Sequence, residues 1–186
     1  EELVQRSEDC DVEFEDILPG MNTAWHTSAL MAKMPLLADP PDFYYVADKY
    51  GFSDYPYGIW LRHNGPVHFI ARTMSVYRIC SNGAAWSSGV EGRYDKLVRF
   101  MTGAIAMLET YRHHVTDPEV LRLVDDNILK WKFQLLYTQG KDKELRRPPY
   151  NRLLKEKPLR FRINNAVKCL FPALHRLYRR KRGYAE

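Results

Sequence analysis

Apolar side chains recur every three or four residues between Arg93 and Gly140, and this spacing constrains the fold more than any other feature of the chain. Such spacing places apolar side chains on one face of an α-helix. Asp117 and Pro118 are typical of a helix start, and a glycine such as Gly140 is typical of a helix end. The two stripes consist of Leu97, Phe100, Met101, Ala104, Ile105, Leu108 and Tyr111, and of Leu121, Val124, Ile128, Trp131 and Leu135. We therefore predict a helical hairpin over 93–140, with both stripes buried in a core.

The preceding segment mixes patterns typical of helices and of strands. Residues 24–34 have strand-like composition, whereas 42–50 are typical of a short amphipathic helix that ends at Gly51. A second helix is predicted with Ser53 as its cap and Asn64-Gly65 as its end. Residues 66–79 alternate in part and predict one or two strands. The fold class expected is therefore mixed α/β, with a small mixed sheet followed by a helical region.

Length and composition indicate one folded domain with an appendage. The chain has 186 residues, of which 45% are hydrophobic, enough for one sizeable core. No apolar run reaches the ~18–20 residues that span a bilayer, and the first residues lack the pattern of a signal peptide. Three cysteines, far apart in sequence, indicate neither a disulfide framework nor a CxxC metal site. We expect a cytoplasmic protein.

Charge is distributed unevenly along the chain. Residues 141–186 contain 15 lysines and arginines and four acidic residues, a net charge of +11, so 1–140 carry −6 of the total of +5. The first 16 residues contain an acidic run, which is typical of a solvated segment. These shifts predict a flexible acidic lead over 1–20, a mixed domain over 21–92, the helical hairpin over 93–140, and a basic tail over 141–186.

The basic tail has two interpretations. Residues 159–183 interleave large apolar residues with arginine and lysine and are interrupted by Pro172. One interpretation is an interfacial helix on anionic lipid, which would make the protein peripheral at the inner face of the plasma membrane. The other is a helix that packs its apolar side on the domain and leaves its basic face in water. Sequence leaves both open.

Asp54 is the first candidate for a chemical role. A carboxylate in the first turn of a helix lies at the positive end of the helix dipole, which favours its ionised form and lets it accept a proton. It can therefore act as a general base, or it can simply assist helix capping. Local sequence does not decide between these two roles.

Several strings in one order resemble a known family. WHTSALMAKM (25–34), GFSDYPYGIWLRHNGPVHFIARTMSVYR (51–78) and NGAAWSSG (82–89) resemble the second half of bacterial family-2 glycosyltransferases of the GT-A fold. In that family a His-Thr-Ser strand precedes a helix headed by an aspartate, and Tyr-Arg-x-His and Gly-x-Trp-Ser elements follow. Residues 24–89 carry the resemblance, whereas 93–186 match only in being helical and then basic.

The resemblance implies a partial GT-A-like domain and an inverting transfer of sugar from a nucleotide-sugar donor to a saccharide or lipid-linked acceptor, in polysaccharide or glycolipid synthesis. Asp54 falls at the position of the catalytic base. Arg78 falls at the position that binds the donor diphosphate, where a guanidinium stabilises the charge of the leaving group. The remaining implied site residues are Ser81, Asn82 and Trp86 on the donor side, and His26, Thr27, Ser28 and Tyr55 along the cleft.

The sequence also departs from this family. Cys80 replaces the histidine of Tyr-Arg-x-His, and the only Asp-x-Asp spelling, Asp9-Cys10-Asp11, follows polar residues and is interpreted as a chance match. The nucleotide-binding half is not recognisable. We therefore expect an inactive carboxyl-terminal fragment, with a divalent cation (Mg or Mn) in the intact enzyme and none bound to this fragment.

Two other function classes stay open. A non-catalytic interaction or scaffold domain would explain both the absent donor half and Cys80. A nucleic-acid-binding module would explain the basic tail, but the acidic body and the absence of a known binding motif disfavour it. We expect no nucleic-acid partner.

Overall fold

The computed structural model describes residues 7–20, 30–72 and 93–171, which form a helix-rich mixed fold. Two short strands, β1 and β2, pair in an antiparallel sheet. Short 3-10 turns follow α5, over Arg112–His114, and precede α7, over Glu144–Arg146. In chain order the elements are β1 (Cys10–Val12), α1 (Phe14–Ile17), α2 (Met34–Ala38), α3 (Asp42–Asp48), α4 (Asp54–Asn64), β2 (Val67–Phe69), α5 (Arg93–Tyr111), α6 (Pro118–Thr138), α7 (Tyr150–Glu156) and α8 (Leu159–Leu170).

Most helices that the sequence predicts are confirmed. Helices α3 and α4 occupy the expected segments, and the Asp117 carboxylate accepts hydrogen bonds from the backbone N–H groups of Glu119 and Val120 at the start of α6. The predicted strand over 24–34 is wrong for the part that is described, because Met34 begins α2. Pro35 favours a helix there, since proline fits the first turn, where its missing N–H costs no hydrogen bond.

A flexible acidic lead was expected over 1–20, but in the described part of this segment residues 10–17 form β1 and α1. Val12, Phe14, Ile17 and Leu18 are buried, and β1 pairs with β2 with Val12 opposite Val67. The acidic residues alternate with these apolar residues, so carboxylates reach water while the apolar side chains enter the core. The net charge of the segment does not show this alternation, so it did not predict the buried residues.

Both carboxylates of the Asp-x-Asp spelling bond across the small sheet. Asp11 Oδ1 lies 2.8 Å from His68 Nδ1, and Asp9 Oδ1 accepts a hydrogen bond of 2.7 Å from the Ala71 N–H. These contacts give the two aspartates a role in joining β1 to the segment that contains β2.

Contacts divide the chain into two compact units, Glu1–Ile128 and Leu129–Glu186. The boundary falls within α6, so the second unit begins before the basic tail that the sequence set apart at residue 141. Its core consists of Phe133, Leu145 and Leu153, surrounded by Leu129, Leu136, Tyr137, Tyr150, Leu154 and Phe161. The end of α6 therefore supplies apolar residues around which the basic segment folds.

Aromatic rings form the centre of the first unit. Phe43 lies edge-on to Tyr111, with ring centroids 5.1 Å apart, and His63 Nδ1 lies 3.3 Å from the Tyr111 hydroxyl. Burial raises the pKa of Tyr111 well above its ordinary value. Burial also lowers the pKa of His63, as does the nearby His114. Both effects favour neutral side chains, consistent with a structural role.

The loop between α3 and α4 packs closely on α5. Gly51 adopts a φ of 86°, which favours glycine, and Arg99 donates a hydrogen bond of 2.8 Å to the Lys49 carbonyl. A Cβ atom added to Gly103 of α5 would lie 2.5 Å from Cγ of Tyr50. The absence of a side chain at Gly103 therefore lets the loop reach the helix.

Within the described ranges 7–20, 30–72 and 93–171, none of the helices combines the length and the apolar character needed to cross a bilayer.

We predict that Gly103→Ala lowers the free energy of unfolding by about 1–3 kcal/mol, as overpacking does. The added methyl group must displace the root of the Tyr50 side chain, and this outweighs the roughly 1 kcal/mol by which alanine favours a helix. Urea denaturation measures the change. Gly65→Ala is the control, because nothing lies within 4 Å of that position; equal stability of the Gly103 variant and the wild type would contradict the close packing.

Candidate functional site

Asp54 is the first residue of α4, and its side chain is exposed to solvent. Its Oδ1 accepts a hydrogen bond of 2.9 Å from the Tyr55 N–H, a contact within the first turn. Ser53 holds the predicted N-cap position but makes no side-chain cap hydrogen bond. The capping contact expected of Ser53 is therefore absent, and Asp54 itself binds a backbone N–H at this helix start.

Tyr55 anchors the start of α4 in the core. Its side chain is 2% exposed, and its hydroxyl donates a hydrogen bond of 2.5 Å to the Leu18 carbonyl. A buried carbonyl needs such a partner, because leaving it unpaired costs about 1–3 kcal/mol. The resemblance placed Tyr55 along a cleft, whereas its ring and hydroxyl lie in the interior. Tyr55 positions the neighbouring Asp54.

The other end of α4 is attached to the same segment of chain. Arg62 Nε lies 3.2 Å from a Glu13 carboxylate oxygen, to which the guanidinium donates a second hydrogen bond. The central carbon of the Arg62 guanidinium lies 5.0 Å from the centre of the Phe14 ring. Contacts at both ends therefore attach α4 to residues 13–18.

The loop before α4 has an independent attachment. The Phe52 ring lies 4.8 Å from that of Phe100 on α5, in addition to the close approach of Tyr50 to Gly103. Asp54 thus follows a loop held by α5 and begins a helix held by residues 13–18. A site residue supported in this way has a defined position before any ligand binds.

Three tyrosines, Tyr44, Tyr45 and Tyr57, form what we call the tyrosine surface beside Asp54. The Tyr44 ring centre lies 4.6 Å from that of Tyr57 and 5.6 Å from that of Tyr45. Tyr57 follows Asp54 by three residues in α4, so the two share a helix face. Asp54 therefore lies near the Tyr57 end of the tyrosine surface.

The surroundings of Tyr44 raise the pKa of its hydroxyl. Burial raises its pKa, the interaction with Tyr57 and the charge of Asp48 raise it further, and Ser53 opposes this in part. A neutral phenol can donate and accept hydrogen bonds. Sequence analysis missed the tyrosine surface, because the Tyr44-Tyr45 pair was interpreted only as part of an amphipathic helix. The high density of tyrosines on both sides of Gly51 could have indicated this surface.

Two of the nine site residues inferred from the resemblance, Asp54 and Tyr55, lie in the described part of the chain. The others lie outside the described residues: His26, Thr27, Ser28, Arg78, Ser81, Asn82 and Trp86.

The described residues do not assemble a metal site. In these ranges no cluster of three or more histidine, cysteine, aspartate or glutamate side chains is placed to hold an ion. Asp9 and Asp11, the one Asp-x-Asp spelling, bond to Ala71 and His68 instead. The divalent cation that the resemblance implies therefore does not fit these residues.

Comparison of the chain with protein-family models, with curated proteins and with solved structures finds no match. Function is therefore inferred from the residues and their geometry.

We predict that Tyr55→Phe lowers the free energy of unfolding by about 1–3 kcal/mol, because the buried Leu18 carbonyl loses its hydrogen-bond donor. Urea denaturation followed by circular dichroism measures the loss. Tyr94→Phe, at a largely exposed tyrosine of α5, should change stability by less than about 0.5 kcal/mol. Equal stabilities of the two variants would show that the Tyr55 hydroxyl does not anchor α4.

Proposed function

We propose that the intact protein is an inverting glycosyltransferase in which Asp54 is the catalytic base. The observation that carries this proposal is the exposed carboxylate in the first turn of α4, supported from one side by residues 13–18 and from the other by α5. The order of the motifs in residues 24–89 supports the same reaction class.

The reaction assigns one proton transfer to Asp54. The acceptor hydroxyl gives its proton to the carboxylate while its oxygen forms a bond to the anomeric carbon of the donor sugar. The bond from that carbon to the diphosphate oxygen breaks, and its electron pair leaves with the nucleoside diphosphate. Attack from the face opposite the leaving group inverts the anomeric centre.

The donor side of the reaction comes from the resemblance. Arg78 would bind the diphosphate, with Ser81, Asn82 and Trp86 closing over it, and His26, Thr27 and Ser28 would line the cleft. A guanidinium suits this role because it presents parallel N–H donors to phosphate oxygens and stays charged. In this proposal a further part of the intact protein supplies the nucleoside-binding elements.

The tyrosine surface suits a saccharide acceptor. Sugars present C–H faces and hydroxyl edges, and tyrosines offer flat apolar rings with a polar tip. Tyr57 and Asp54 share a face of α4, and the row of rings continues through Tyr44 to Tyr45. The proposed acceptor is therefore a saccharide of more than one sugar that lies along these rings, with its reacting hydroxyl at Asp54.

We predict that Asp54→Asn in the intact protein lowers kcat by about 10²- to 10⁴-fold, the usual contribution of a general base, and leaves the donor Kd within about twofold. Release of nucleoside diphosphate from a panel of nucleotide sugars measures turnover, and calorimetry measures donor binding.

Asp42→Asn is the matched control for this variant. Asp42 is the first residue of α3, and its Oδ1 accepts the N–H of the next residue at 2.7 Å, as Asp54 does in α4. The same Asp42 oxygen also lies 2.7 Å from His114 Nε2. If Asp54 acts only at the helix start, the two variants should have similar turnover. Their stabilities are not compared, since Asp42→Asn also loses an ion pair with His114. Turnover that survives Asp54→Asn, or that is absent from the wild type with every donor, would overturn the proposal and favour a scaffold domain.

We also predict that Tyr45→Ala raises the acceptor KM about fivefold and leaves the donor KM unchanged, the effect of removing an aromatic contact of about 1 kcal/mol. Tyr45 is 53% exposed, so the substitution should not disturb the core. Tyr94→Ala is the control, since Tyr94 is 54% exposed and lies on α5. Equal acceptor KM values for the two variants would place the acceptor elsewhere.

A further inference from the structure

Helix α8 packs on the second unit through one side. Its Phe161 ring lies 4.8 Å from the ring of Tyr137, and Lys168 Nζ lies 4.5 Å from the centre of the same ring. Asn165 is buried and donates a hydrogen bond of 2.7 Å to Asp142. These residues establish which side of α8 faces the core of its unit.

The opposite side of α8 carries an exposed apolar row. Leu159, Ile163 and Leu170 are 65%, 55% and 69% exposed, and they follow one another at intervals of four and seven residues, which align them along one helix face. Phe171, directly after the helix, is 57% exposed. Large apolar side chains in such a row are characteristic of a binding surface. The basic-tail interpretation in which the apolar side packs on the domain therefore does not describe these residues.

Cations border this row. At 100° per residue, Arg160 and Arg162 lie on its two flanks, and both are exposed. A groove of about 410 Å³ between α7 and α8 is lined by Arg146, Lys155 and Arg162 together with Leu154, Leu159, Ile163, Asn151 and Ala166. None of the residues that line it is acidic. The face thus combines apolar side chains with a rim of positive charge.

We propose that this face of α8 docks on the surface of an anionic lipid bilayer. Leu159, Ile163 and Leu170 would enter the acyl boundary, while Arg160 and Arg162 would meet the lipid phosphates, which is the arrangement of an interfacial amphipathic helix. Charge complementarity selects an anionic bilayer over a neutral one. The exposed apolar row disfavours nucleic acid, because phosphate contacts alone do not use it. The inference is independent of sugar transfer.

Sedimentation of the 186-residue chain with phosphatidylcholine vesicles, with and without 30 mol% phosphatidylglycerol, tests the proposal. We expect binding to the anionic vesicles that weakens as salt rises. Arg160→Gln/Arg162→Gln should weaken it about 30-fold, the factor expected for two interfacial charges, and Leu159→Gln/Ile163→Gln at least about 10-fold.

Two control pairs distinguish this face from general surface effects. Met34→Gln/Ile70→Gln removes exposed apolar residues elsewhere, and Arg122→Gln/Lys130→Gln removes two exposed cations of α6; both should bind vesicles like the wild type. Circular dichroism verifies that each variant is folded.

Three results would overturn the proposal. The first is the absence of vesicle binding by the folded wild type, and the second is binding that neither α8 variant weakens. The third is a dimer in sedimentation velocity that Leu159→Gln/Ile163→Gln dissociates while vesicles are not bound, which would make a second copy the occupant. If the wild type binds oligonucleotides but not vesicles, and the arginine variant loses that binding, the proposal is likewise overturned.

Discussion

The hydrogen bond from the Tyr55 hydroxyl to the Leu18 carbonyl is the contact on which the arrangement of the first unit depends most. It joins residues separated by 37 positions in the buried interior, where an unpaired polar group is costly. With the Arg62–Glu13 pair it attaches both ends of α4 to one short segment. The position of Asp54 follows from these two attachments.

These attachments fix the helix start that presents the proposed catalytic carboxylate of Asp54. Catalytic electrostatics depend on groups that are oriented before the reaction, because reorientation during the reaction adds to the barrier. The contacts of Phe52 and Tyr50 with α5 fix the loop that precedes Asp54. The tyrosine surface lies beside this proposed base, which suits a proposed acceptor that must present one hydroxyl.

Sequence patterns predicted the elements that are determined by residues close to one another in the chain. The apolar stripes of α5 and α6 and the capping contact of Asp117 need only neighbouring residues, so their prediction succeeded. The folded acidic segment and the role of Tyr55 depend on partners far along the chain, and no local pattern records them. The unit boundary inside α6 was missed for a related reason, since a continuous stripe does not show that its end packs in a different core. Asp54 stays a proposed site residue that its helix start suggested, whereas the tyrosine surface depends on the contact between α3 and α4 and has no local pattern.

The buried hydrogen bond from Asn165 to Asp142 helps to fix the rotation of α8 about its own axis. A slip of one residue would turn the helix by about 100° and bring Arg160 or Arg162 toward the place now taken by apolar side chains. An amide that must meet one particular carboxylate opposes that slip, whereas a purely apolar contact would tolerate it more easily. Together with the contacts of Phe161 and Lys168 with Tyr137, this interior polar pair sets the orientation of a row of leucine and isoleucine side chains about 16 Å long on the outside of the protein.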